Sequence, residues 1–301
     1  MPAGHGGGSQ QPLPSLARQK AISIASYPKS GNTWVRVFIH NLTRELRGDV
    51  EDAQSINALD QMTSREGLAR TFAHRLGKPA HFASPAEIAA VRSLVRADLV
   101  QGRDGPIFIK THNAVALVEG HPTINFDVTL AAVHIVRNPL DIAVSYAHHS
   151  ALPVDQIIDY MADSAASSVG AERRVHEFMG SWRFHVASWM SVPHRPVLVL
   201  RYEDMLAEPE RTFGRLASFL RLKATTDRLR RAIENSSFAE LARQEAAHGF
   251  IERPQTAGRF FRSGRAGQWK AALSAKQVKA VVEAHAPMMM RLGYLGEDCG
   301  D

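Results

Sequence analysis

The sequence has one cysteine in 301 residues, Cys299, two positions from its end. A lone thiol forms no intrachain disulfide and joins no cysteine cluster, so oxidative stapling and a cysteine-built zinc site are excluded, and a reducing cytoplasm is the expected compartment. Long apolar runs are missing as well. No stretch is long enough to cross a bilayer, and the start lacks a basic segment followed by an apolar core, so neither membrane spanning nor secretion is supported. There is no internal repeat, and low complexity is confined to residues 4–11. Residues 1–18 are expected to form a disordered tail and residues 19–297 a single domain, since 45% hydrophobic content at this length can bury one large core.

Acidic residues are outnumbered. With 36 Lys and Arg against 30 Asp and Glu, the formal charge of +6 admits nucleic acid, an anionic membrane surface or a small polyanion as partner. The dense basic stretch 211–231 reads as the solvated face of amphipathic helices. Short β-branched runs at 21–25, 106–110, 130–137 and 196–201 read as strands, with a fifth near 80–82. Helical periodicity starts near Trp34 and recurs at 85–99, 139–149, 175–190, 210–220 and 274–292. Alternation of this kind gives an α/β fold: a three-layer, doubly wound, P-loop-like domain whose mostly parallel central sheet is flanked by helices, with ligands beyond the carboxyl ends of the strands. Segments 49–76 and 152–171 lack strong periodicity and are either loops covering an acceptor or insertions without a role, and the segments expected to build an acceptor pocket are 49–76, 81–85, 148–171 and 243–254.

Four stretches at strand ends carry chemistry. In Tyr27-Pro28-Lys29-Ser30-Gly31-Asn32-Thr33-Trp34, strand, turn and helix follow in order. The amides of Ser30 to Thr33 then converge at a helix N-terminus, where an anion is favoured, and Lys29 adds charge. The turn lacks the Gly-Lys-Ser/Thr ending of the common triphosphate loop, so a metal-free phosphate site is the sharper inference. Trp34 is placed either to stack on a purine or to pack the core. In Lys110-Thr111-His112, the histidine can act as a general base or be a hydrogen-bonded structural residue. Arg137 ends the third strand, and Ser145 follows two helical turns later, so the two can grip a second phosphate. In the basic, glycine-punctuated run 260–270, Arg262 and Arg265 supply charge, Ser263 and Gly264 bring backbone close to a phosphate, and Phe261 can cover a base.

Taken together these stretches resemble the cytosolic-type sulfotransferase family, which uses 3′-phosphoadenosine 5′-phosphosulfate as sulfuryl donor and releases adenosine 3′,5′-bisphosphate; a bacterial member is expected. The resemblance implies that Lys29 and the Ser30 to Thr33 turn hold the 5′ side, that Arg137 and Ser145 hold the 3′-phosphate, and that Trp34 stacks on adenine. It also implies His112 as catalytic base, Lys110 as a stabiliser of the transferring group, and Tyr202, Ser236 and Phe238 at the adenosine. Arg262-Ser263-Gly264 with Gly267 and Trp269 is similar to the family's Arg-x-Gly-x-x-Gly-x-Trp loop. Ser263 stands where lysine is frequent, Asn113-Ala114 replaces Leu-Pro after the histidine, and Lys270, Ser274, Ala275 and Lys279 do not match the animal dimer segment. The expectation is metal-free, in-line sulfuryl transfer to a hydroxyl, less so an amine, of a small-molecule or lipid-like acceptor, with no nucleic-acid partner and an oligomeric state left open. A kinase-like phosphoryl transferase, which would require magnesium, and a basic nucleic-acid-binding module are the alternatives.

Overall fold

A computed structural model describes residues 20–49 and 53–295; the expected tail lies outside them. The strands are β1 (Ala21–Ser26), β2 (Thr63–Arg65), β3 (Ile107–Thr111), a small antiparallel hairpin of β4 (Leu117–Val118) and β5 (His121–Pro122), β6 (Thr129–Val136) and β7 (Val197–Arg201). The main sheet runs β2-β3-β1-β6-β7, and every pairing in it is parallel. Helices α1 (Asn32–Arg47), α2 (Ala69–Leu76) and α3 (Pro85–Val100) precede β6. They are followed by α4 (Pro139–Ser150), α5 (Val154–Ala162), α6 (Trp182–Met190), α7 (Tyr202–Ala207), α8 (Pro209–Phe219) and α9 (Thr226–Glu234). The chain closes with α10 (Phe238–His248), α11 (Trp269–Ala272) and α12 (Ala275–Arg291).

The period of two along β1 sets the layers. Ile22 and Ile24 pack against Val35, Phe38, Ile39 and Leu42 of α1 and Phe213 of α8, while Ala21 meets Val100 and Ile109, and Ala25 meets Trp189 of α6. All six β1 residues are buried, as a central parallel strand requires. The α/β architecture therefore agrees with the sequence reading, with four exceptions.

Residues 80–82 form a 3₁₀ turn, and the fifth strand is Thr63–Arg65, too short to show a period. Helix α6 starts at Trp182, not 175, because Gly180 takes φ 60° and the Ser181 hydroxyl accepts from the Phe184 amide to cap it. Segment 49–76 carries a 3₁₀ helix at Ile56–Gln61, β2 and α2, and segment 152–171 carries α5. The basic stretch 211–231 is salted with carboxylates: Arg211 meets Glu208, Arg230 meets Glu210 and Arg231 meets Glu45. Among the described residues no helix is long and apolar enough to cross a membrane.

Beneath the sheet's edge a fully buried guanidinium, Arg96 of α3, pairs with Glu66 at 3.1 Å and donates to the hydroxyls of Ser23 and Thr129. Removing only the carboxylate strands a buried charge. Glu66→Ala should lower unfolding free energy by about 3–5 kcal/mol in urea titration, whereas the double change Glu66→Leu with Arg96→Met should lose markedly less.

Candidate active site

The carboxyl ends of the strands are level: Ala25 lies beside Thr111 and His134, and Val136 beside Arg201. All site loops thus leave one edge of the sheet. After β1 the chain turns through Lys29 at φ 69° and Gly31 at φ 108°, and α1 begins without a side-chain cap, its positive dipole end directed at the turn. The Asn32 amide donates to the Ile24 carbonyl at 2.8 Å, fastening the helix start to the strand. Gly31 is required here, since a Cβ would stand 2.9 Å from the Tyr202 ring in a backbone conformation that side chains disfavour.

Arg137 ties two loops together. Its guanidinium donates to the carbonyls of Lys29 and Arg265, both at 3.0 Å, and lies 4.2 Å from the centre of the Tyr202 ring. The loop after Phe260 is positioned by two buried acids. Glu245 accepts from the amides of Phe260 and Phe261 at 2.7 and 2.8 Å, and Asp141 from those of Gly267 and Trp269 at 2.7 and 3.1 Å. Gly264 comes so close to Phe238 that a Cβ would fall 2.3 Å from its ring.

These loops enclose a cavity of about 350 Å³. Lys29, Gly31, Asn32, Thr33, Trp34, Lys110, His112, Arg137, Ser145, Tyr202, Phe238, Phe261, Arg262, Ser263 and Gly264 all line it. Three expected residues do not. Ser30 lies behind the wall with its hydroxyl buried and unpartnered, Ser236 is fully buried, its hydroxyl donating to the carbonyls of Ala232 and Ile233, and Arg265 is exposed and contributes its carbonyl to Arg137. The serine that lines the cavity at this helix start is Ser237, the N-cap of α10. Trp34 lines the cavity and also packs edge-on to Tyr202 and Phe213. Of the four segments expected to build the acceptor pocket, 148–171 supplies His149 and 243–254 supplies Glu252 to the lining, while 49–76 and 81–85 supply none.

Five cations face one carboxylate across the cavity wall. Burial, then the charges of Arg137, Lys110 and Arg262, lowers the Lys29 ammonium to a pKa of about 7. It donates to His149 Nδ1 at 3.2 Å and sits over the Phe260 ring. Lys110 donates to Glu252 at 3.1 Å, and the same carboxylate takes a two-pronged contact from buried Arg36. The tautomer of His112 follows from its partner: the Ser26 carbonyl, 2.7 Å from Nδ1, can only accept, so Nδ1 carries the proton and Nε2 is the basic nitrogen. Burial and then Lys110 push this imidazole down to a pKa of about 3, which keeps it neutral.

Glu252 and Glu245 fall within the expected segment 243–254, but their roles escaped the sequence reading because the cations and amides they serve lie outside it in the chain. Asp141 carried a weak signal as an acid in the first turn of a helix.

An anion cradle, a cluster of cations and a neutral imidazole at the carboxyl edge of a parallel sheet define a transferase that handles nucleotide phosphates. The family model described as Sulfotransferase domain matches residues 19–293, and the chain belongs to that family. It is a sulfotransferase that uses 3′-phosphoadenosine 5′-phosphosulfate. Among curated relatives, sulfotransferase 1A1 of Bos taurus is 26% identical over 88% of this chain and 81% of its own length. Sulfotransferase 1B1 of Canis lupus familiaris is 28% identical over 84% and 78%. Mouse sulfotransferase SULT7A1, solved with PAP, shares the fold with a TM-score of 0.59 at 22% identity, covering 92% of this chain and 87% of that one.

Burial alone would raise the Glu252 carboxyl, but Lys110, Arg36 and Arg65 outweigh it and hold the pKa at about 2. An unfolded chain, with its carboxyl near 4.5, binds the proton first as pH falls. The stabilisation is therefore complete above about pH 5 and lost on descent toward pH 2. About 3 kcal/mol of acid sensitivity over that window should disappear in Glu252→Gln, measured by denaturant titration at a series of pH values.

Proposed function

We propose that the protein transfers a sulfuryl group to the hydroxyl of a small-molecule or lipid-like acceptor by in-line displacement, with His112 Nε2 as general base. The observation that carries this reading is the imidazole held by the Ser26 carbonyl, with its basic nitrogen in the same cavity as Lys29 and Lys110. The fit to the donor rests on the wall itself. Arg137 Nε and Trp34 Nε1, both from lining residues, are buried without protein partners, and Gly31 and Gly264 let the backbone of the two loops pack directly on the Tyr202 and Phe238 rings that line the cavity. When bound, the donor supplies a sulfuryl group activated by its link to phosphate.

The chain's own residues divide the remaining work. Lys29 and the first turn of α1 receive the 5′ side, and Arg137, Ser145 and the 262–264 backbone the 3′-phosphate. Trp34, Tyr202, Phe238 and Phe261 line the place of the adenosine. His112 takes the acceptor's hydroxyl proton, and Lys29 and Lys110 stabilise negative charge that grows as the bond breaks. No described group of three or more His, Cys, Asp or Glu is arranged to hold a metal.

Titration calorimetry with adenosine 3′,5′-bisphosphate tests the donor site. Metal-free binding should be lost in Lys29→Ala and Arg137→Ala; equal or tighter binding of adenosine triphosphate by the wild type would overturn the reading. His112→Ala should reduce kcat by ~10²–10⁴ while leaving product affinity within about threefold.

The depressed Lys29 adds a pH signature. An arriving polyanion favours its charged form, so affinity should be greatest below about pH 7 and fall as pH rises above it. Binding near pH 8 should be accompanied by proton uptake, seen as a dependence of the heat on buffer ionisation enthalpy, and this uptake should vanish in Lys29→Ala.

A further inference from the structure

Four of the five cations on the cavity wall are committed. Lys29 donates to His149, Lys110 to Glu252, Arg137 to two carbonyls and Arg262 to Gln268. Arg174 differs: among the described residues its guanidinium makes no hydrogen bond or ion pair, and it carries five donors. It does not belong to the stretches assigned to the donor. It sits between α5 and α6, on a segment whose backbone is stitched down around it. The Arg174 amide donates to Ala171 and accepts in return at its carbonyl, Ala69 donates to the Arg173 carbonyl, and Val175 donates to the Gly67 carbonyl at 2.9 Å. The guanidinium is therefore offered from a fixed base.

Its position within the cavity is on the side of the base. The segment docks on the end of β3: Glu177, three residues on, accepts from the His112 amide at 3.0 Å, and the Phe178 carbonyl accepts from the Ala114 amide at 2.8 Å. A planar, permanently charged fork with no internal partner, beside the proposed proton acceptor, matches the geometry of a carboxylate.

We infer that Arg174 is a specificity residue for the acceptor and that the preferred acceptor carries a carboxylate as well as the hydroxyl that receives the sulfuryl group. This rests on the reading of His112 as the base on the acceptor side. The His149 and Phe260 rings, 5.8 Å apart and both in contact with Lys29, give the same cavity an aromatic wall, so a hydroxyaryl acid is the acceptor class that uses all three features.

A matched set of three phenols tests the inference: 4-hydroxyphenylpropionate, its neutral primary amide, and tyramine as the cationic member. Labelled donor gives kcat/KM for each, in the wild type, Arg174→Gln and Arg174→Lys. The wild type should favour the acid over the amide by about tenfold, the gain of one partly exposed charge-assisted contact, and should handle tyramine worst. Arg174→Gln should abolish that preference through the KM of the acid, leaving amide turnover and adenosine 3′,5′-bisphosphate affinity within about twofold, and Arg174→Lys should restore part of it. Equal rates for acid and amide in the wild type, or a preference that survives in Arg174→Gln, would overturn the assignment of Arg174 and leave hydroxyl sulfation standing. Faster transfer to tyramine's amine than to any phenol oxygen would overturn the hydroxyl reading and this inference with it.

Discussion

Like charges gathered in a cleft of low dielectric repel one another, and the site is organised around containing that repulsion. Two unit charges 4 Å apart at an effective dielectric of 20 interact by about 4 kcal/mol, enough to threaten a domain whose total stability is of similar order. Three devices hold the cations in place. Glu252 neutralises Lys110 and Arg36 together. Arg137 spends its donors on carbonyls, which partly offset a charge without cancelling it. Lys29 is close to releasing its proton. Each device weakens the resting repulsion, yet the wall keeps an excess of positive charge that only an incoming anion balances.

The other acids close to the cavity are used differently, and this is why the excess persists. Asp141 and Glu245 each direct both oxygens at backbone amides of the 260–269 segment. Glu203 accepts from the Asn138 amide and the Tyr294 hydroxyl. These carboxylates fix the shape of the loops and do not pair with the lining cations. The parallel sheet provides the rest of the rigidity, since strands buried on both faces and locked by the Arg96–Glu66 pair present all their loops at one level.

What the sequence disclosed follows the range of the forces involved. The turn after β1, the arginine ending β6 and the run 260–270 were legible because strand, turn and helix signals are local, and the same adjacency delivers those residues to the sheet edge. The one-residue error at Ser236 has the same origin: the cap of α10 is Ser237, which lines the cavity, while Ser236 bonds back to the preceding turn. Glu252 was silent because its partners lie 216 and 142 residues away. Strand β2, three residues long, had no room for a period, and the 164–180 segment is held by isolated bridges that no propensity encodes.

The two sides of the cavity therefore differ in kind. On the side proposed for the donor, the backbone at 31 and 264 comes so close to the Tyr202 and Phe238 rings that glycine alone fits. On the side proposed for the acceptor stand an imidazole pinned by a carbonyl and an arginine whose guanidinium has no hydrogen bond or ion pair among the described residues. The imidazole is a weak base at rest, since burial and Lys110 hold its pKa near 3. Negative charge placed among the cations opposes the Lys110 contribution and favours the protonated imidazole, so the basicity of His112 rises when an anion is present. With His112 as the proposed proton acceptor, a site built this way couples the imidazole to the charge that accompanies the transferable group, and the cationic surplus of the resting cavity becomes the means by which it is tuned.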